Sequence, residues 1–216
     1  VALSTDGVWS QATPIVFAQG VEATVPFQFT NPVSVSCASA GNCTAVGQFH
    51  NASALYEAFT VSSINGTWGQ ASPISFAAGA QDTTPDASLY SVSCASAGDC
   101  TAVGNFRNAN GEREAFTATS TGGVWGQATP VNFTPGVQSA VPGNDAAGGR
   151  SVSCASAGNC TVVGQFQNSS GAFEAFTATS TGGTWSPAAA VAFASGVRAV
   201  GSSQDQLFSG SCASAG

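Results

Sequence analysis

What most constrains this chain is that it repeats itself. The segment SVSCASAGNCTAVGQF, beginning at Ser34, returns as SVSCASAGDCTAVGNF at Ser91 and as SVSCASAGNCTVVGQF at Ser151, then starts again as SGSCASAG at Ser209. Successive first cysteines are 57, 60 and 58 residues apart. A second block alternates with the first: YEAFTVSSINGTW, REAFTATSTGGVW and FEAFTATSTGGTW, ending at Trp68, Trp125 and Trp185. A fixed period of this kind means one supersecondary unit used several times.

Each unit reads as four short strands. SVSC is the first, and the turn ASAGN or ASAGD leads to the second, CTAVGQF; NANGER or NSSGAF then turns the chain into the third, EAFTATS. TGG or ING follows, and the fourth runs VWGQATPVNF into a longer connection. Ala, Gly, Val and Thr occupy both faces, as expected of a sheet covered on both sides, whereas Gly, Pro and β-branched residues interrupt every helical stretch. The fold class expected is all-β: a single domain of β-propeller-like tandem repeats, four-stranded antiparallel sheets of about 58 residues each, three full units plus a split fourth.

The full units are 34–90, 91–150 and 151–208. Residues 1–33 read as the second half of a unit, because STDGVWSQATPIVF at Ser4 parallels STGGVWGQATPVNF at Ser120, and 209–216 open a further unit. Joining Gly216 to Val1 within one unit would need about 18 residues more. Three explanations compete: an excerpt of a longer tandem array, a four-bladed ring with a defective last blade, or open ends that pair head to tail with neighbouring molecules.

The cysteines fall as Cys37 and Cys43, Cys94 and Cys100, Cys154 and Cys160, then a solitary Cys212. A pair recurring at one spacing nominates the local disulfide each time and places the protein in an oxidising setting: secreted, at a cell surface or periplasmic. Cys212 is left as a free thiol or an intermolecular partner.

Charge is scarce. The net charge is -7, with four arginines and no lysine among the residues, so the clustered cations that nucleic acid needs are missing. No run of 18 apolar residues exists to span a membrane.

The block SVSCASAGNCTAVGQF followed by EAFTATSTGGTW resembles a repeat found in large secreted proteins of actinobacteria and other bacteria, which implies a β-propeller. The turn STDGVW at Ser4 also looks like a shortened Asp-box, the strand-connecting turn of sialidase-like propellers, with Asp6 as its only acid; that resemblance implies a fold and no catalysis.

Chemistry-bearing residues are few. His50 is the only histidine, no GxSxG elbow or Gly-rich phosphate loop occurs, and Arg107 and Arg113 lie in one hairpin without counterparts elsewhere. Glu57, Glu114 and Glu174 recur at one place, as solvated strand starts or as ligands for cations. No catalytic residue, metal or cofactor is expected. The once-per-repeat Trp9, Trp68, Trp125 and Trp185 are core residues or stacking platforms for glycans. Glycosylation sequons stand at Asn42, Asn51, Asn65, Asn132, Asn159 and Asn168. The expected function is a non-catalytic extracellular structural or adhesive repeat protein; a lectin-like propeller is the alternative and a glycoside hydrolase a remote one.

Overall fold

Hairpin tips decide the strand order. In each unit a two-residue turn, Ala40–Gly41, Ala97–Gly98 or Ala157–Gly158, reverses the chain with its glycine at φ 76°, 86° or 75°, a left-handed backbone that carries no steric cost without a Cβ. The computed structural model describes residues 1–2, 4–5, 8–24, 28–81, 84–135, 147–192, 194 and 207–212; Asp6 and residues 213–216 lie outside them.

The architecture is all-β. A short hairpin of β1 (Ser4–Thr5) and β2 (Val8–Trp9) precedes three sheets of like build. Unit 1 comprises β3 (Thr30–Ser39), β4 (Asn42–His50), β5 (Tyr56–Ile64), β6 (Thr67–Trp68) and β7 (Ser72–Pro73). Unit 2 comprises β8 (Ala87–Ser96), β9 (Asp99–Arg107), β10 (Arg113–Thr121), β11 (Val124–Trp125) and β12 (Thr129–Pro130). Unit 3 comprises β13 (Ala147–Ser156), β14 (Asn159–Gln167), β15 (Phe173–Thr181), β16 (Thr184–Trp185) and β17 (Ala189–Ala190). All are antiparallel meanders in which both short strands pair with the third long one.

Two details depart from the sequence reading. The first strand is not SVSC alone: it begins at Thr30, Ala87 or Ala147 and runs past the first cysteine, with bulges on both sides of the motif. The fourth strand is broken. Trp125 pairs with Ser120 but Pro130 pairs with Phe116, so one extra residue bulges between them, and Pro130 has no N–H with which to extend the ladder.

Past the break, the tails of units 1 and 2 leave their own sheets and enter the next, as the segment before unit 1 also does. Phe17, Phe76 and Phe133 bridge in parallel to Ala71, Ala128 and Ala188 of the following unit, with Ala128 N donating to Ser75 O at 2.8 Å. Each of these rings joins two fully buried phenylalanines of the receiving sheet. Phe76 lies 4.8 Å from Phe106 and 5.0 Å from Phe116, centroid to centroid, and Phe17 and Phe133 repeat the arrangement on Phe49 with Phe59 and on Phe166 with Phe176. The core therefore lies between sheets: Val46 and Ala58 of unit 1 pack with Val92, Ala102 and Phe116 of unit 2, and Val103 and Ala115 of unit 2 pack with Val152, Val162 and Phe176 of unit 3. This nearest-neighbour burial is what a repeat without a core of its own requires.

Close backbone approach explains the glycine of CTAVG. A Cβ on Gly47, Gly104 or Gly164 would stand 2.0, 1.8 or 2.2 Å from the carbonyl oxygen of Asn31, Ser88 or Gly148 on the adjoining strand. We expect Gly104→Ala to lower the denaturation midpoint of the protein, costing at least the roughly 1–3 kcal/mol typical of overpacking, while Gly126→Ala, at a glycine without positive φ where the added atom lies 3.6 Å from its nearest neighbour, Thr119 O, serves as the comparison.

Candidate functional site

The two repeated blocks hold each other at one end of every sheet. Ser120 Oγ donates to Gly98 O at 2.8 Å and accepts from Cys100 N at 3.1 Å, and Gly123 N donates to the same Gly98 carbonyl at 2.9 Å. Ser63 with Gly41 and Ser180 with Gly158 make the same lock. Beside it, Asn42, Asp99 or Asn159 accepts at Oδ1 from the N–H of Asn65, Gly122 or Gly182. The disulfides Cys37–Cys43, Cys94–Cys100 and Cys154–Cys160 close the same hairpins, bridges of a kind typical of extracellular proteins. Cys212 is not bridged.

Asp99 is the one acid among these turn residues. The Ser96 hydroxyl and the Gly122 N–H both donate to its carboxylate, holding its pKa below the ordinary 3.8. A depressed carboxylate pKa adds stability above the ordinary value and loses it as the pH falls through the folded one. Asp99→Asn, which places in unit 2 the residue that units 1 and 3 already carry, is expected to flatten the acid limb of the stability profile below about pH 4, as read by denaturation midpoints across pH.

The serines of SVSC do something the sequence did not indicate: they join units. Val92 N donates to Ser34 Oγ at 3.3 Å and Cys94 N to Ser36 Oγ at 3.0 Å. One period later Val152 N donates to Ser91 Oγ at 3.2 Å and Cys154 N to Ser93 Oγ at 3.0 Å. The seam is then used again, because Gly210 N donates to Ser151 Oγ at 3.3 Å and Cys212 N to Ser153 Oγ at 3.0 Å. A first strand is the edge of its own sheet, and in units 2 and 3 its outward N–H groups are capped by hydroxyls of the unit before, which removes an exposed template for pairing. The disulfides sit on this seam too: Cys100 Sγ lies 3.5 Å from Thr44 Oγ1 and Cys160 Sγ 3.4 Å from Thr101 Oγ1.

The recurring carboxylates stay apart, one to a unit. Asn51, Asn108 and Asn168 each donate from Nδ2 to Glu57, Glu114 or Glu174, at 2.7, 2.6 and 3.0 Å, and use Oδ1 to cap the following turn. Among the described residues no three His, Cys, Asp or Glu side chains gather into a group able to hold a metal. His50 lies between Phe29 and Tyr56, with centroids at 5.1 and 4.4 Å. The same three positions in unit 2 hold Asp86 with Arg107 and Arg113, where Arg113 meets Asp86 at 2.7 Å. One strand-end position thus accepts an aromatic group or an ion group, and Asp86 is the partner of the arginines that the sequence reading missed.

The sequons divide into two sets. Asn42, Asn51, Asn159 and Asn168 spend Nδ2, the atom a glycan would take, on internal hydrogen bonds; Asn65 and Asn132 are exposed. The tryptophans divide as well. Trp68, Trp125 and Trp185 are half-buried against the inter-sheet cores, whereas Trp9 is 71% exposed. Trp68 Nε1 is buried without a hydrogen-bond partner, contrary to the expectation that such a group finds a carbonyl. Trp185 closes a pocket of about 80 Å³ with Pro130, Val131 and Asn132 of the incoming tail, and Trp68 lines an open groove with Pro14 and Val16 at the corresponding place.

No protein-family model matches the chain, and no curated protein matches it either. Among the described residues no helix is long and apolar enough to cross a membrane.

Proposed function

We propose that this chain is a non-catalytic structural or adhesive module of an extracellular or cell-surface assembly, built as a propeller-like series of stapled blades. The single observation that supports it best is the seam: the same pair of serine-to-amide bonds joins unit to unit, with a disulfide against it at each step. His50, Arg107, Arg113 and the repeated glutamates lie in strand-end packing, ion pairs or turn caps, so their polar chemistry serves architecture. Glu57, Glu114 and Glu174 each accept from the asparagine of the adjoining turn, with Glu112 joining Glu114 on Asn108 Nδ2, so these carboxylates serve to hold turns. Immunogold electron microscopy of native material tests the proposal: label on extended structures outside the cell is expected, and label confined to the cell interior would overturn it.

A second reading, glycan binding, draws on the Trp-lined grooves under the incoming tails. It predicts signal on a glycan array that Trp185→Ala reduces; a blank array removes it.

A further inference from the structure

We infer that the outward face of β3 is the docking site for the Ser209–Cys212 segment of a second copy of this chain, so that the seam joining units also joins molecules head to tail. The inference deepens the structural reading above and rests on it.

The receiving half is β3. In units 2 and 3 the central valine of the motif, Val92 or Val152, is only 6% or 5% exposed, because the preceding sheet covers it. In unit 1 the same residue, Val35, is 61% exposed, and Val33 beside it is 46% exposed. The amides equivalent to the two seam donors are Val35 N and Cys37 N, on the sheet edge away from β4. An edge strand presenting an apolar side chain and outward amides is a template for another strand.

The giving half is the fourth copy of the motif. Gly210 N and Cys212 N already dock on Ser151 and Ser153, and Gly210 lies against Val163, so this segment is seated as the first strands of units 2 and 3 are. Ser209 and Ser211 therefore take the places of Ser34 and Ser36, whose hydroxyls accept from the next strand in line. Among the described residues the contact is not made within one molecule, since Val35 stays exposed with Ser209–Cys212 in place on unit 3. Nor does charge oppose it: neither β3 nor residues 207–212 carry a charged side chain, in a chain of net charge -7. Two unlike, complementary faces on one molecule make a heterologous contact, which propagates head to tail, as a filament where its rotation does not close and as a ring where it does.

Sedimentation velocity over a range of concentrations tests this, in a Cys212→Ser background so that only non-covalent association is read. The parent protein is expected to form a concentration-dependent series of oligomers. Val35→Asp damages the receiving half and Ser211→Arg the giving half, and each alone is expected to weaken association by about tenfold or more, the equivalent of roughly one buried contact. Mixed in equal amounts, the two variants keep one good half each and are expected to give heterodimers that grow no further. A parent protein that stays monomeric throughout, or oligomers indifferent to both substitutions, would overturn the interface. Should Val35→Asp perturb folding, as read by circular dichroism, Ser211→Arg on the exposed segment decides alone. Microscopy of native material judges the structural reading independently, so either claim can fail without the other.

Discussion

Removing the three disulfides by replacing Cys37, Cys43, Cys94, Cys100, Cys154 and Cys160 with Ala is expected to cost about 7 kcal/mol. Each bridge joins residues six apart, and the chain-entropy model gives about 2.4 kcal/mol for so short a loop. The loops lie in separate units and share no residues, so their effects should approach additivity. Set against a typical net stability of about 5–15 kcal/mol, a loss of this size leaves the chain barely folded or unfolded. Lost packing adds to this, because Cys100 and Cys160 contact Thr44 and Thr101 of the preceding unit, and truncating them opens space on the seam. Guanidinium titrations of the oxidised protein and the six-fold variant provide the check. Coincident midpoints would show that packing and the turn locks already suffice.

Phe116→Ala is expected to be the most damaging single substitution, at about 3–5 kcal/mol. Phe116 is 0% exposed and meets Phe106 edge-on at 5.8 Å. It also receives Phe76, the ring that unit 1 sends across, so its loss strikes both the interior of unit 2 and the coupling of unit 1 to it. A double-mutant cycle with Phe76→Ala separates these effects. A coupling energy of about 0.5–1.5 kcal/mol is expected for such an aromatic pair beyond simple burial; strictly additive losses would mean that the handover ring contributes only its own area.

Features set within one hairpin were legible in the sequence, and features shared between elements were not. The hairpin of SVSCASAGNC was legible because its causes are local: a glycine that tolerates positive φ, a nearby Asn or Asp, and two cysteines within reach of each other. The glutamates were legible as a repeat-equivalent set but not as partners of Asn51, Asn108 and Asn168, since that bond depends on how a turn folds back over the strand end. The break in the fourth strand could have been taken from Pro73 and Pro130, neither of which has an N–H to donate to a ladder. The sequons looked alike in the sequence and differ in the structure, because whether an amide nitrogen is spent internally is a matter of what packs beside it.

The amino-acid sequence by itself determined the repeat and its period, the antiparallel strands and the disulfide pairs, because turn conformation, strand alternation and short loop closure act over a few residues. Only the tertiary structure decided what the motif serines do. Ser34 meets Val92 across 58 residues, and Ser91 meets Val152 across 61. No local rule sets that distance: it comes from the stacking of one sheet on the next, which turns a hydroxyl toward a neighbour's edge amide. The same stacking buries Val92 and Val152 and leaves Val35 in solvent, so three valines in one motif meet different fates according to which sheet lies against each.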